Sequence, residues 1–134
     1  MNYDERLWIS PILRLVYMVY HPLLAELPPE KDAEIHTLDL IDDSNTEVIG
    51  AGIISGDDRY RVYMHAKELE AGHLHVQYQM LTKEEDDKLD GVDLVGPSDA
   101  IVIDNDIAFA LFIRRLVSFL AFGVKPTSLD GDGE

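Results

Sequence analysis

The spacing of hydrophobic and polar positions changes period along the chain. From Ser10 to His21 the residues Ile12, Leu13, Leu15, Val16, Met18, Val19 and Tyr20 are apolar. They leave a narrow stripe of Ser10, Arg14, Tyr17 and His21, spaced four, three and four residues apart. That pattern predicts a helix with Ser10 as its N-cap, Pro11 in its first turn and Pro22 ending or kinking it. LPPEKD (27–32) reads as a connector. Beyond it the period becomes two. EIHTLDLI (34–41) and EVIGAGII (47–54) have the content of strands, and DDSNT between them has turn composition. Gly50 and Gly52 mark either a bulge or a close approach of backbones.

RYRVYMHA (59–66) alternates cleanly, with Arg59, Arg61, Tyr63 and His65 on one face and Tyr60, Val62, Met64 and Ala66 on the other. HLHVQYQML (73–81) alternates in the same way, setting His73, His75, Gln77 and Gln79 against Leu74, Val76, Tyr78 and Met80. Paired as a hairpin with both polar faces together, the two strands would bring His65 to His73, Tyr63 to His75, Arg61 to Gln77 and Arg59 to Gln79. TKEEDDKLDGVDLVGPSD (82–99) is an acidic connection with room for one helical turn, and AIVI (100–103) suits a short strand. A final helix is expected over roughly 107–122, capped by Asp104, Asn105 or Asp106 and closed by Gly123. It is apolar nearly all round, broken only by Arg114, Arg115 and Ser118.

The fold class expected is therefore α+β: an N-terminal helix, an antiparallel sheet of three to five strands, and a long C-terminal apolar helix packed on one sheet face. At 134 residues this is a single domain over 1–125, with a disordered acidic tail at 126–134, PTSLDGDGE. Two helices with such narrow polar stripes need cover from each other, from a target or from a second copy, so a homodimer through the apolar helices is an expectation too.

Composition narrows the chemistry. The chain has no cysteine, which removes disulfides, thiolate catalysis and thiolate metal sites. No run approaches about 18 apolar residues, so no membrane span is expected, and MNYDERLWIS lacks the basic start of a secretory signal. The net charge is −15 and unevenly placed: residues 26–58 carry −9, residues 59–83 carry +2 and residues 84–106 carry −8. Such a balance argues against direct nucleic-acid binding, which needs Lys and Arg to neutralise phosphates, and favours a partner with a basic surface.

Candidate sites follow from that map. His65, His73 and His75 are candidate metal ligands, since two imidazoles two residues apart on a strand point the same way and a third would complete a zinc face. Gly72-His73-x-His75 resembles part of the cupin motif, but Gln79 and Met80 stand where that motif places a glutamate, and the family does not carry over. No G-x-S-x-G, G-x-G-x-x-G or Walker loop occurs, and the many carboxylates lie on turns, where burial cannot tune them. The acids Asp42, Asp43, Asp57, Asp58, Glu84, Glu85, Asp86 and Asp87 are spaced closely enough to imitate a nucleic-acid backbone. Arg59, Arg61 and Tyr63 form a donor-rich ribbon able to receive carboxylates.

These features lead to the expectation of a cytoplasmic, non-enzymatic protein without a cofactor, which inhibits a target by occluding its basic surface. An anti-CRISPR or anti-restriction protein of viral type, or an immunity protein, has these attributes. An acidic dimeric secretion or assembly chaperone is one alternative, and a metal-binding protein using the strand histidines is another.

Overall fold

The computed structural model of the protein describes residues 10–41, 47–88 and 99–125. Asp42, Asp43, most of the acidic connection (89–98) and the tail (126–134) lie outside the described residues. An N-terminal helix, a five-stranded antiparallel sheet and a C-terminal helix make an α+β fold. In chain order these are α1 (Pro11–Glu26), β1 (Ala33–Ile41), β2 (Glu47–Ser55), β3 (Tyr60–Glu68), β4 (Leu74–Thr82), the short α2 (Lys83–Asp87), β5 (Asp99–Ile103) and α3 (Asp106–Phe122). The strands lie in chain order across the sheet, so each pairs with its sequence neighbour.

α1 starts as its sequence predicts: Ser10 Oγ accepts from the Leu13 N–H, and Pro11 sits in the first turn. It does not end at Pro22 but continues to Glu26. Proline costs roughly 3 kcal/mol in a helix interior. Leu23 and Leu27, just beyond it, are both buried, and each such burial stabilises by about 1.5–3 kcal/mol, enough to offset the proline. The helix stops at Leu27 because Pro28 follows, and a residue before proline is pushed to extended backbone, here ψ 139°.

Both long helices cover one face of the sheet and touch each other. Ile12, Leu15, Val19 and Leu23 of α1 and Phe112, Leu116, Phe119 and Leu120 of α3 meet Ile53, Val62, Met64, Val76 and Tyr78 of the central strands. The Tyr78 hydroxyl, on this otherwise apolar face, accepts from Arg115 Nη1 at 2.8 Å. α3 is capped by Asn105, whose side chain accepts from the Ala108 N–H at 2.8 Å, and ends at Gly123 in the left-handed conformation.

The β3–β4 register corrects the expected one. His65 faces Gln77, Tyr63 faces Gln79, Arg61 faces Leu81 and Lys67 faces His75. The reversal is centred on Ala71 (φ 60°) and Gly72 (φ 77°), and the Leu69 N–H closes on the His73 carbonyl at 2.7 Å. The chain thus turns in five residues, Lys67 and Glu68 join β3, and His73 leaves β4. The face of each side chain survives, because the register moves by an even number of residues.

On the opposite face, Leu38 and Leu40 of β1 lean across β2. A Cβ on Gly50 would stand 2.1 Å from Leu40 Cδ1 and 2.6 Å from the Met64 carbonyl oxygen, and one on Gly52 would stand 2.8 Å from Leu38 Cδ2. The β1–β2 ladder runs unbroken from Ala33↔Ser55 to Ile41↔Glu47, so the glycines serve a close approach rather than a bulge. Leu40, Tyr63 and Leu81 are buried there as a second small cluster.

Candidate functional site

Of the predicted site residues, Asp57, Asp58, Arg59, Arg61, Tyr63 and the acids at 84–87 gather at one end of the described structure, where the β2–β3 turn, the β4–α2 junction and the end of α3 meet, while Asp42 and Asp43 lie outside the described residues. The turn begins with Ser55, buried, whose hydroxyl donates to Asp57 Oδ1 at 2.7 Å and accepts from the Tyr60 N–H at 3.1 Å. Asp57 Oδ1 also accepts from the Arg59 N–H. These bonds, the Ser55 hydroxyl first, hold the Asp57 carboxyl below its ordinary range. Asp58 takes φ 64°, a conformation that aspartate tolerates better than most residues. Arg59 sits in this turn rather than in β3, its guanidinium 5.7 Å from the Tyr60 ring centre.

α2 folds over the opposite sheet face. Thr82 and Glu85 form a reciprocal cap at its start, the Thr82 N–H donating to Glu85 Oε1 at 2.8 Å and the Glu85 N–H to Thr82 Oγ1 at 3.2 Å. That cap, with Lys125 Nζ 2.9 Å from the same carboxylate, lowers the Glu85 pKa. Asp86 points inward. One of its oxygens accepts from Arg61 Nη1 at 2.6 Å and from the Tyr63 hydroxyl at 2.9 Å, while Arg61 Nη2 donates to Asp58 Oδ1 at 2.5 Å. Burial draws the Arg61 pKa down, but its two carboxylates outweigh it and the net direction is up. Burial first, then Asp86, pushes the Tyr63 hydroxyl up to about 12.

The expected ribbon is therefore divided. Arg61, Tyr63 and Gln79 are buried, and the protein's own Asp58 and Asp86 occupy the arginine. His65, His75 and Gln77 keep partial exposure, with His65 Nδ1 3.2 Å from the Ile49 carbonyl. The three histidines are not brought together: His65 faces Gln77, His75 faces Lys67, and His73 lies in the loop. Among the described residues no group of three or more His, Asp or Glu side chains is placed to hold a metal.

What remains outward at this end is a cleft of about 670 Å³ lined by Asp57, Asp58, Arg59, Tyr60, Lys83, Glu84 and Asp87. Lys83 lies 3.8 Å from Asp58 and 3.9 Å from Asp87, both exposed pairs of little energetic weight. Glu84 makes no ion pair among the described residues. Beside the cleft stand two residues that sequence reasoning assigned to no site. Phe122 is 66% exposed and Val124 57%, and their position is fixed by Gly123 packing against Tyr60 and by the Lys125–Glu85 pair. For Val124 the signal was Gly123, since a left-handed residue turns whatever follows it out of the helix line; for Phe122, the last residue of α3, the sequence carried none.

No helix among the described residues is long and apolar enough to cross a membrane. Compared with protein families, curated proteins and solved structures, the chain matches none.

Proposed function

We propose that the protein acts without catalysis, by binding another protein through this acidic end. The observation that carries the reading is the exposure of Phe122 and Val124 on either side of Gly123, which packs against Tyr60, a residue of the cleft that Asp57, Asp58, Glu84 and Asp87 also line. Apolar anchors near a carboxylate-lined cleft suit a basic surface with an apolar recess: the anchors supply most of the affinity, and the charges supply orientation and rate. An inhibitor that occludes a basic groove, of the anti-CRISPR, anti-restriction or immunity type, is the form of such binding that the −15 charge favours. A cytoplasmic setting agrees with the lack of cysteine.

A second reading, the acidic chaperone, draws support from Tyr17, Tyr20 and Ile107, which leave the helix layer unusually apolar on its outside. Salt separates the two. Tagged protein captures its target from lysate under the inhibitor reading, and high salt, Phe122→Ala or Glu84→Lys with Asp87→Lys each releases it. Capture that survives salt and both substitutions favours the chaperone, and capture of nothing refutes both.

A further inference from the structure

The outer surface of the helix layer differs from the acidic end. Ile107, Ala110, Leu111 and Arg114 lie on one side of α3, since residues three and four apart are neighbours on a helix. Ile107 is 82% exposed and Leu111 43%. On α1, Pro22 and Glu26 follow Met18 at four-residue intervals. Between the helices runs a groove of about 370 Å³, with Pro22 and Glu26 on one side and Phe109, Ala110, Ile113 and Arg114 on the other. Its floor is apolar and its rims carry opposite charges. Neither Glu26 nor Arg114 forms an ion pair with any described residue.

We infer that this groove seats a second copy of the chain. In a two-fold contact Ile107 and Leu111 of each copy enter the groove of the other, and Arg114 of each meets Glu26 of the other. Two-fold interfaces require a self-complementary patch, in which residue i meets j and j meets i. This patch holds both halves of each match: an apolar ridge with an apolar groove, and an acid with a base, neither of them ion-paired among the described residues. Ala110, small and central, lets the two α3 helices approach closely. A basic partner would gain little here, because the groove's charges balance. An apolar peptide laid over it would bury Glu26 and Arg114 without partners, a costly outcome. The contact stands apart from target binding at the acidic end, so either proposal can fail alone.

The test is the mass of the full chain in solution by light scattering and sedimentation across a concentration series. A dimer is expected. Arg114→Glu or Glu26→Arg alone turns two attractions into two repulsions and weakens it by roughly tenfold or more. The double variant Arg114→Glu/Glu26→Arg restores the dimer, since the swapped charges again meet. Ile107→Asp, at a position too exposed to affect folding, abolishes it, with circular dichroism confirming the fold of every variant. A wild-type chain that stays monomeric overturns the inference, as does a dimer indifferent to these substitutions or one the double variant fails to restore.

Discussion

Replacing Asp86 with alanine removes one carboxylate from two hydrogen bonds, those of Arg61 Nη1 at 2.6 Å and the Tyr63 hydroxyl at 2.9 Å. The Arg61 side chain is only 10% exposed, so the guanidinium left behind cannot recover the loss from bulk water. Breaking a fully buried ion pair costs about 3–5 kcal/mol, and a hydrogen bond to a charged group contributes about 1.5–3 kcal/mol. Asp58 still holds Arg61 Nη2, and the Asp86 side chain is itself 14% exposed, which places the loss nearer the lower figures, at about 2–3 kcal/mol. Asp58→Ala is the control: its side chain is 58% exposed, and it should cost about 1 kcal/mol or less. Urea unfolding followed by circular dichroism resolves the two. With a slope of about 2 kcal/mol/M, Asp86→Ala lowers the midpoint by roughly 1–1.5 M. Adding Arg61→Met to Asp86→Ala recovers part of the loss by removing the stranded charge. A midpoint for Asp86→Ala no lower than that for Asp58→Ala would show that solvent screens the network, and the reasoning would fall.

Gly50→Ala should destabilise by about 1–3 kcal/mol in the same assay. Leu40→Ala in that background should recover only part of it, because the Met64 carbonyl, 2.6 Å from the new Cβ, cannot move aside as a side chain can. Asn105→Ala should cost about 1 kcal/mol by uncapping α3, read as a lower melting temperature. Tyr63 has a folded pKa of about 12 against an ordinary 10.0, so its contribution is complete below pH 10.0 and lost as pH rises towards about 12. Tyr63→Phe should flatten that part of the stability profile. At the acid end Asp57 and Glu85, both lowered, contribute above their ordinary values of 3.8 and 4.5. That contribution fades as pH falls through the lower folded values, which a melting series from pH 7 downward would record.

The sequence revealed the elements well because their periods were clean: five alternating or β-branched segments and two apolar helical ones each announced themselves. It revealed contacts poorly. Pro22 reads as a breaker until the burial of Leu23 and Leu27 beyond it is known. The β3–β4 register depended on where the left-handed residues fall, and Ala71, the first of them, carries no such signal in its side chain. Arg61 and Tyr63 alternate like solvent-facing residues, yet both are buried, because α2 returns across them and Asp86 neutralises the arginine. That return is a long-range event which strand periodicity does not encode. The acids were legible as a cluster, but their division into internal partners and outward groups was not. Asp57 braces a turn, Glu85 caps a helix and Asp86 closes a buried network, while Glu84 and Asp87 remain outward.

The order of strands in the sheet bears on how the chain emerges from a ribosome. Every strand pairs with its immediate predecessor, so each hairpin can close as soon as its second strand appears. The helix layer cannot. Leu15, Val19 and Leu23 of α1 are sealed together with Phe112, Leu116 and Phe119 of α3, and Phe112 follows Leu23 by 89 residues. At about 5–20 residues per second, α1 waits roughly 5–20 s after its own synthesis before α3 exists to cover it. All five strands are made within that interval, and at its end the sheet still lacks the helix that completes the cover of its apolar face. By then residues 1–106 already carry the whole net charge of −15, a surplus of one sign that favours solubility while the apolar face is incompletely covered.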